Sequence, residues 1–323
     1  MTTPGDGTNT ARAAWPPLPL AGWQETYRTL HLWTQVVGKV RMVRTPWLNH
    51  SWGATLYVSP RGLTTGIVPY GPGRAFQVDL DLLGHALTVT PSDGGARGFA
   101  LEPMAVAEFY RRLMDLLAEM GYPVEIVTVP NEMEEAVPFE ADTLHASYDP
   151  EAVARFCRVL ISSHHVLLRF RSRVVGKATP GHFFWGAFDL AASRFSGRPA
   201  PPHPGGLPHF PDAVAREAYS HEVQSAGFWP GTPDGPVAEP AYYAYHYPAP
   251  AGYERAAVGP DAAFWSADLG EWVLPYEAVR TAADPEAALL EFLETTYAAA
   301  AELAGWDREA LERPEGRPEE SGG

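Results

Sequence analysis

Apolar and polar positions alternate along this chain with two different periods. Trp23, Tyr27, Leu30 and Trp33 recur at helical spacing, which predicts a short amphipathic helix over residues 23–35, with His31 off its stripe. Residues 36–44 and 52–59 alternate imperfectly and are read as strands. Residues 75–82 alternate well, with Phe76, Val78, Leu80 and Leu82 set against Gln77, Asp79 and Asp81. Leu87 and Val89 repeat the pattern between the turn signals Gly84-His85 and Ser92-Asp-Gly-Gly95. This is the signature of an antiparallel meander with one wet face. Pro103 then opens a helix that runs to about Met120 and stops at Gly121, with Val106, Phe109, Tyr110, Leu113, Leu116 and Leu117 as its core stripe.

Residues 122–148 read as a connector containing one strand, 124–129, and an acidic run, 132–135. Asp149-Pro150 is a cap followed by proline at the first helical position, and Val153, Phe156, Cys157, Leu160 and Ile161 follow on one stripe. The stretch PAPPHPGGLPHFP at 199–211 holds too many prolines to be a helix or a central strand. Strands are expected at 219–228, at the alternating Tyr243, Tyr245 and Tyr247, and as a hairpin over 264–274. A last helix starts at Pro285 and ends near Gly305.

The two halves of the chain carry related motifs. VVGK at 36 recurs at 174, Thr45-Pro46 as Thr179-Pro180, and Trp52-Gly-Ala as Trp185-Gly-Ala, with His50 and His182 just before the two Trp-Gly-Ala elements. The expected fold is therefore α+β: an antiparallel sheet with helices, built from two tandem helix–strands–helix repeats packed about a pseudo-twofold axis. The corresponding boundaries are a disordered 1–14, a first repeat over 15–121, the connector 122–148, a second repeat over 149–306, and a charged, disordered tail from 307. If this duplication holds, Lys39 and Lys177 should occupy like environments.

Composition narrows the function. At 323 residues and 46% hydrophobic the chain can bury a sizeable core. No apolar run is long enough to span a membrane, and no secretory pattern opens the chain. With a single cysteine, Cys157, this leads to the expectation of a cytoplasmic protein. The net charge of −15 argues against nucleic acid as a partner. Of 24 basic residues only two are lysines, Lys39 and Lys177, leaving 22 arginines, and both lysines fall in the repeated VVGK. An ammonium differs from a guanidinium in its compactness and in how readily burial lowers its pKa, so both positions are read as requiring an ammonium. The competing structural reading pairs each with a buried carboxylate.

Phosphate-loop, dinucleotide-binding, nucleophile-elbow and paired-cysteine motifs are missing, and His221-Glu222 lacks the second histidine of a zinc-protease motif. What remains is a concentration of polar and aromatic residues in the second half. Lys39, Lys177, Arg194 and Arg198 are candidates to hold an anionic group, with Trp185 as an aromatic wall. His182, Asp189, His221 and Glu222 are candidates for acid–base work. On a strand His221 and Glu222 point to opposite faces, and a metal site from His182, His221 and Glu222 has no support in spacing. No metal and no cofactor is assigned. Asp189 with Arg194 or Arg198 has a plain structural reading as an ion pair. The leading expectation is an enzyme acting on a small anionic metabolite. The alternative is a noncatalytic module that binds a ligand or a protein through an aromatic surface that includes the three tyrosines.

Four stretches, WTQVVGK, LYVSPRGLTT, GHFFWGAFDLAASRFSGRPAP and REAYSHEVQSAGFWPG, resemble the uncharacterised bacterial family catalogued as domain of unknown function 5996. The resemblance spans roughly Trp15 to Leu311. It implies a stand-alone soluble protein and carries no reaction, cofactor or catalytic residue.

Overall fold

The computed structural model describes residues 13–134, 136–207, 209–232 and 237–313. Helix α1, Gln24–Arg44, is the first long element. It continues through the residues read from sequence as a strand at 36–44. The reason is burial on nearly every side: Thr29 to Arg41 are all buried, so the stripe that identifies a surface helix is erased. Val36, Val37 and Val40 then resemble a β-branched strand although they continue the helix.

The first meander follows as β1 (Thr55–Ser59), β2 (Gly62–Thr64), β3 (Val68–Gly71), β4 (Arg74–Asp81), β5 (Ala86–Pro91) and β6 (Arg97–Ala100). Helix α2, Val106–Glu119, starts without a side-chain cap. Its first free N–H groups are met instead by the connector: Val106 donates to His145 O and Ala107 to Asp142 O. The expected strand at 124–129 is not one. The segment is extended but joins no ladder, and it is held by contacts such as Phe139 N–H on Thr128 O.

Helix α3, Pro150–Ser172, is capped by Asp149, whose carboxylate accepts from the N–H groups of Glu151 and Ala152. The second meander comprises β7 (His182–Phe184), β8 (Asp189–Pro199), β9 (His221–Trp229), β10 (Ala241–Tyr247), β11 (Phe264–Ser266) and β12 (Glu271–Pro275), with the short helix α4 (Asp212–Ala218) between β8 and β9. Helices α5 (Tyr276–Arg280), α6 (Pro285–Leu303) and α7 (Arg308–Leu311) close the chain.

All twelve strands form one antiparallel sheet in the order β11-β12-β10-β9-β8-β7-β1-β2-β4-β5-β6, with β3 on β4. The meanders meet where β1 pairs with β7, Thr55 opposite Phe184 and Leu56 opposite Phe183. One face is apolar. In the first meander it presents Leu56, Leu63, Val78, Leu80, Leu87 and Val89, all buried. In the second it carries Leu190, Ala226, Phe228 and Tyr242 beneath α3 and α6. The opposite face is mixed: in the second meander it carries Asp189, Ser193 and Ser225 together with the buried Ala191, Phe195 and Val223, and it is the more polar of the two.

The motif copies take different structures. The first VVGK lies inside α1; the second lies in an extended segment after α3 that pairs with β8 through Phe195 N–H on Lys177 O and Thr179 N–H on Ser193 O. Lys39 is buried, whereas Lys177 is exposed. The two lysines therefore fall in unlike environments, contrary to the equivalence expected of a duplication. The copies instead contact each other crosswise. Lys39 Nζ lies 6.0 Å from the Trp185 ring, and Lys177 Nζ lies 5.1 Å from the Trp52 ring.

The glycine of the first copy explains part of the motif. A Cβ on Gly38 would stand 2.2 Å from Trp185 Cδ1, so only glycine lets α1 approach this indole. At an ordinary helix interior, Gly→Ala stabilises by about 1 kcal/mol. Here Gly38→Ala is expected to do the reverse and destabilise by about 1–3 kcal/mol through overpacking. Urea unfolding of the variant against the parent reads the sign.

Candidate functional site

The polar face of the second meander has a basic end and an acidic end. At the basic end, Lys177 is positioned by its pairing with β8. Its ammonium donates to His50 Nε2 at 2.7 Å and lies over the rings of Trp52 and Phe195, 5.1 and 4.7 Å from their centroids. His50 is 5% exposed and sits in the left-handed region at φ +57°, followed by Ser51 at φ +60°. Two consecutive non-glycine residues in this region are uncommon and store strain. His50 Nδ1 is 2.8 Å from Ala218 O. A carbonyl can only accept, so Nδ1 carries the proton and Nε2 presents its lone pair to Lys177. Burial lowers the pKa of His50, and the neighbouring Lys177 and His221 push it the same way. Partial desolvation of the ammonium also lowers that of Lys177, although the residue as a whole is exposed.

His221 lies beside His50, with ring centroids 5.8 Å apart. His182 is buried between Trp52 and Tyr57, and its Nδ1 has no protein partner. Burial, reinforced by Arg41 and Arg171, holds His182 down at about 4, so it is neutral at physiological pH. Arg41 is tied to the carbonyls of Gly53 and Thr65 and to the Tyr57 hydroxyl. Among the described residues, neither Lys177, Arg41 nor Arg171 has a carboxylate at ion-pair distance. The nearby acid is Glu217, which accepts from Trp47 Nε1 and raises the pKa of His50 slightly.

At the acidic end, Asp189 begins β8 and accepts a hydrogen bond from the Tyr243 hydroxyl. Burial raises its pKa to about 7. Glu132 from the connector and Glu271 from β12 are also raised to about 7, by burial first and by the charge of Asp189 second. Tyr243 stacks on Tyr245 at 6.2 Å, Tyr219 donates to the Tyr245 hydroxyl, and the His203 ring stacks on Tyr219 at 4.9 Å. Glycines make room for this arrangement: a Cβ on Gly227 would press on the Tyr243 hydroxyl, and one on Gly186 would meet Glu132 Oε1 at 2.0 Å. The left-handed backbone recurs here too, at Phe188 (φ +60°) and Glu132 (φ +55°). Several carboxyls with displaced pKa values, converging on strained backbone, are the usual physical mark of a functional region.

The sequence-predicted residues divide accordingly. Lys177, His182 and His221 come together at the basic end, and Asp189 lies on the same face at the other end. Asp189 is bound by Tyr243 and by neither arginine. Lys39 donates to Val129 O at 2.7 Å, and burial lowers its pKa to about 8; no carboxylate among the described residues pairs with it. Trp185 is packed on Gly38 in the core. Arg194, Arg198 and Glu222 are not brought to Lys177. Arg194 points to the helix-covered face, where it lies between Phe170 and Tyr297 and pairs with Glu294. Arg198 binds Glu222 and caps α6 at the carbonyls of Ala304 and Gly305. Glu222 also accepts from Ser196. As the strand geometry requires, His221 and Glu222 diverge.

Among the described residues no three His, Cys, Asp or Glu side chains are arranged to hold a metal ion. Two surface clefts, of about 380 and 300 Å³, open elsewhere; neither is lined by Lys177, His50 or Asp189. Sequence reasoning missed His50 as a partner of Lys177, and missed Glu132 and Glu271. The first was visible only as a residue preceding Trp-Gly-Ala, and Glu132 sat in an acidic run with the look of a solvated loop.

The raised carboxyls fix the pH dependence of stability. Between 3.8 and about 7 the folded Asp189 binds a proton that the unfolded chain releases, so stability falls as pH rises through this window. Asp189→Asn keeps an acceptor for Tyr243 and removes the charge. It is expected to be near neutral at pH 4 and to stabilise at pH 8 by on the order of 2–4 kcal/mol. Urea unfolding of both proteins at both pH values measures this difference.

No described helix is long and apolar enough to cross a membrane. No curated protein and no solved structure matches the chain. A profile described as a family of unknown function (DUF5996) matches residues 15–313, nearly the whole folded chain and both ends of the polar face. The protein belongs to the DUF5996 family.

Proposed function

We propose that the protein is an enzyme acting on a small anionic metabolite, whose negative group is drawn to the basic end of the polar face. Lys177 carries the reading: the residue is exposed, its partly desolvated ammonium lies over two aromatic rings, and it has no carboxylate partner among the described residues. An ammonium held ready without a counter-ion favours a ligand that supplies one. Arg41 and Arg171 add positive field, and His50 and His221 are the nearest groups for acid–base work. Asp189 and Tyr243 would serve a substrate long enough to reach the acidic end. The acidic net charge of the chain keeps nucleic acid out of this reading.

The alternative, a noncatalytic module with an aromatic recognition surface, has less support. Tyr243, Tyr245 and Tyr247 are half-buried, with Tyr219 and His203 packed over them, rather than forming an open patch. The tandem duplication stays a proposal, favoured by the crosswise lysine–tryptophan contacts and disfavoured by the unlike backbone of the two VVGK copies.

The test is thermal unfolding against inorganic phosphate, citrate and glyoxylate. A ligand at about 100 times its Kd stabilises by about 2.7 kcal/mol. At least one anion is expected to raise the Tm of the parent, and Lys177→Ala is expected to fold normally and lose that rise. No rise with any anion, or a rise that survives in Lys177→Ala, overturns the reading.

A further inference from the structure

We propose that Lys177 is a nucleophile, with His50 as its base, and that the substrate is a small carbonyl compound bearing a negative group, which Lys177 attacks to form an imine. The proposal rests on the reading of this end as an anion site and goes beyond it in assigning the chemistry.

The geometry is that of an activated nucleophile: nucleophile and base within hydrogen-bond reach, and the base oriented by a third group. Lys177 Nζ is 2.7 Å from His50 Nε2, and His50 Nδ1 is 2.8 Å from Ala218 O. Each member is fixed. The Lys177 backbone is paired to β8, Ala218 ends α4, and the His50 ring packs against Phe195 and Trp52 at 4.8 and 5.2 Å. An anion anchor needs none of this. It requires a cation and gains nothing from a buried imidazole whose one lone pair is aimed at that cation. Desolvation lowers the pKa of Lys177 and so raises the share of neutral amine at neutral pH, outweighing the pull of the Trp52 and Phe195 ring faces on the cation. Arginine could not replace lysine here, because guanidinium does not deprotonate. That accounts for one of only two lysines in a chain that otherwise uses arginine.

The step balances as follows. The amine, having released one proton to solvent, adds its lone pair to the carbonyl carbon as the C=O π pair moves onto oxygen. His50 Nε2 takes the proton that the new C–N centre sheds. That proton returns to the carbinolamine, a second comes from solvent, and the oxygen leaves as water while nitrogen closes the C=N bond as a protonated imine.

The scarcity of lysine makes the test clean. The full-length protein is treated with glyoxylate, the smallest anionic aldehyde, and sodium cyanoborohydride, whose hydride reduces any imine to a stable amine. Peptide mass mapping then follows three groups: Lys177, the 2%-exposed Lys39 and the chain's α-amino group. Lys177 is expected to be modified at least about tenfold faster than either of the others. In His50→Asn its rate should fall by about 10²-fold, the usual contribution of a positioned base. Asparagine is chosen because it tolerates the left-handed backbone of residue 50. Modification of Lys177 no faster than the α-amino group, or a rate unchanged in a folded His50→Asn, overturns the proposal. Should that variant not fold, the unmodified protein still decides, since Lys177 must outpace the other two amines. Propionaldehyde, an uncharged probe, separates the two readings. Rapid labelling of Lys177 by both aldehydes alike supports the nucleophile and overturns the anion site; anion-dependent stabilisation with an unreactive Lys177 does the opposite.

Discussion

The antiparallel contact between β1 and β7 is the joint on which the rest of this structure depends. It is short, Thr55 to Phe184 and Leu56 to Phe183, yet it turns two meanders into one sheet. It also sets the residues that flank it, His50 and Trp52 before β1 and Trp185 after β7, where each reaches the other half. Without this pairing Lys177 has no His50, and Gly38 of α1 has no indole to pack on. The polar end groups of the face are therefore a product of tertiary register and not of any local motif.

The sorting of charge across the sheet follows from the same register. β8 alternates, so Asp189 and Ser193 stay on the polar face while Arg194 turns beneath α3 and α6. A buried guanidinium is tolerated there because Glu294 and two aromatic rings surround it. Asp189, Glu132 and Glu271 have no such partner among the described residues and stay protonated to unusually high pH instead. One face thus holds a cation without a carboxylate partner at one end and reluctant acids at the other, a distribution that costs folding energy.

Much of the fold was legible in the sequence. The strong alternation of 75–82 became β4, Asp149-Pro150 capped α3, Pro285 opened α6, and the separation of His221 from Glu222 followed from strand geometry alone. The failures have physical causes. Helix α1 is buried on too many sides to show a stripe, so its second half looked like a strand. The connector at 124–129 has strand composition but no neighbour to pair with. In the site, the two lysines stood out by count, and Lys177 kept a place there. Arg194, Arg198 and Glu222 looked equivalent to it, because nothing in a sequence tells a paired charge from an unpaired one. The bond from Lys177 to His50 joins residues from opposite halves and could not be read from spacing.

The crosswise seating of the two motif copies has a consequence for synthesis. A nascent chain that has emerged only through β6 holds Gly38 and Lys39 on a helix whose covering indole, Trp185, has yet to be made. The apolar surface of α1 must wait for the second half, and β1 must stay unpaired on one edge until β7 arrives. The halves are thus unfit to be separate folding units. Cut between α2 and α3, each would leave the ribosome with an open strand edge, the first half with α1 uncovered and the second with Lys177 lacking His50.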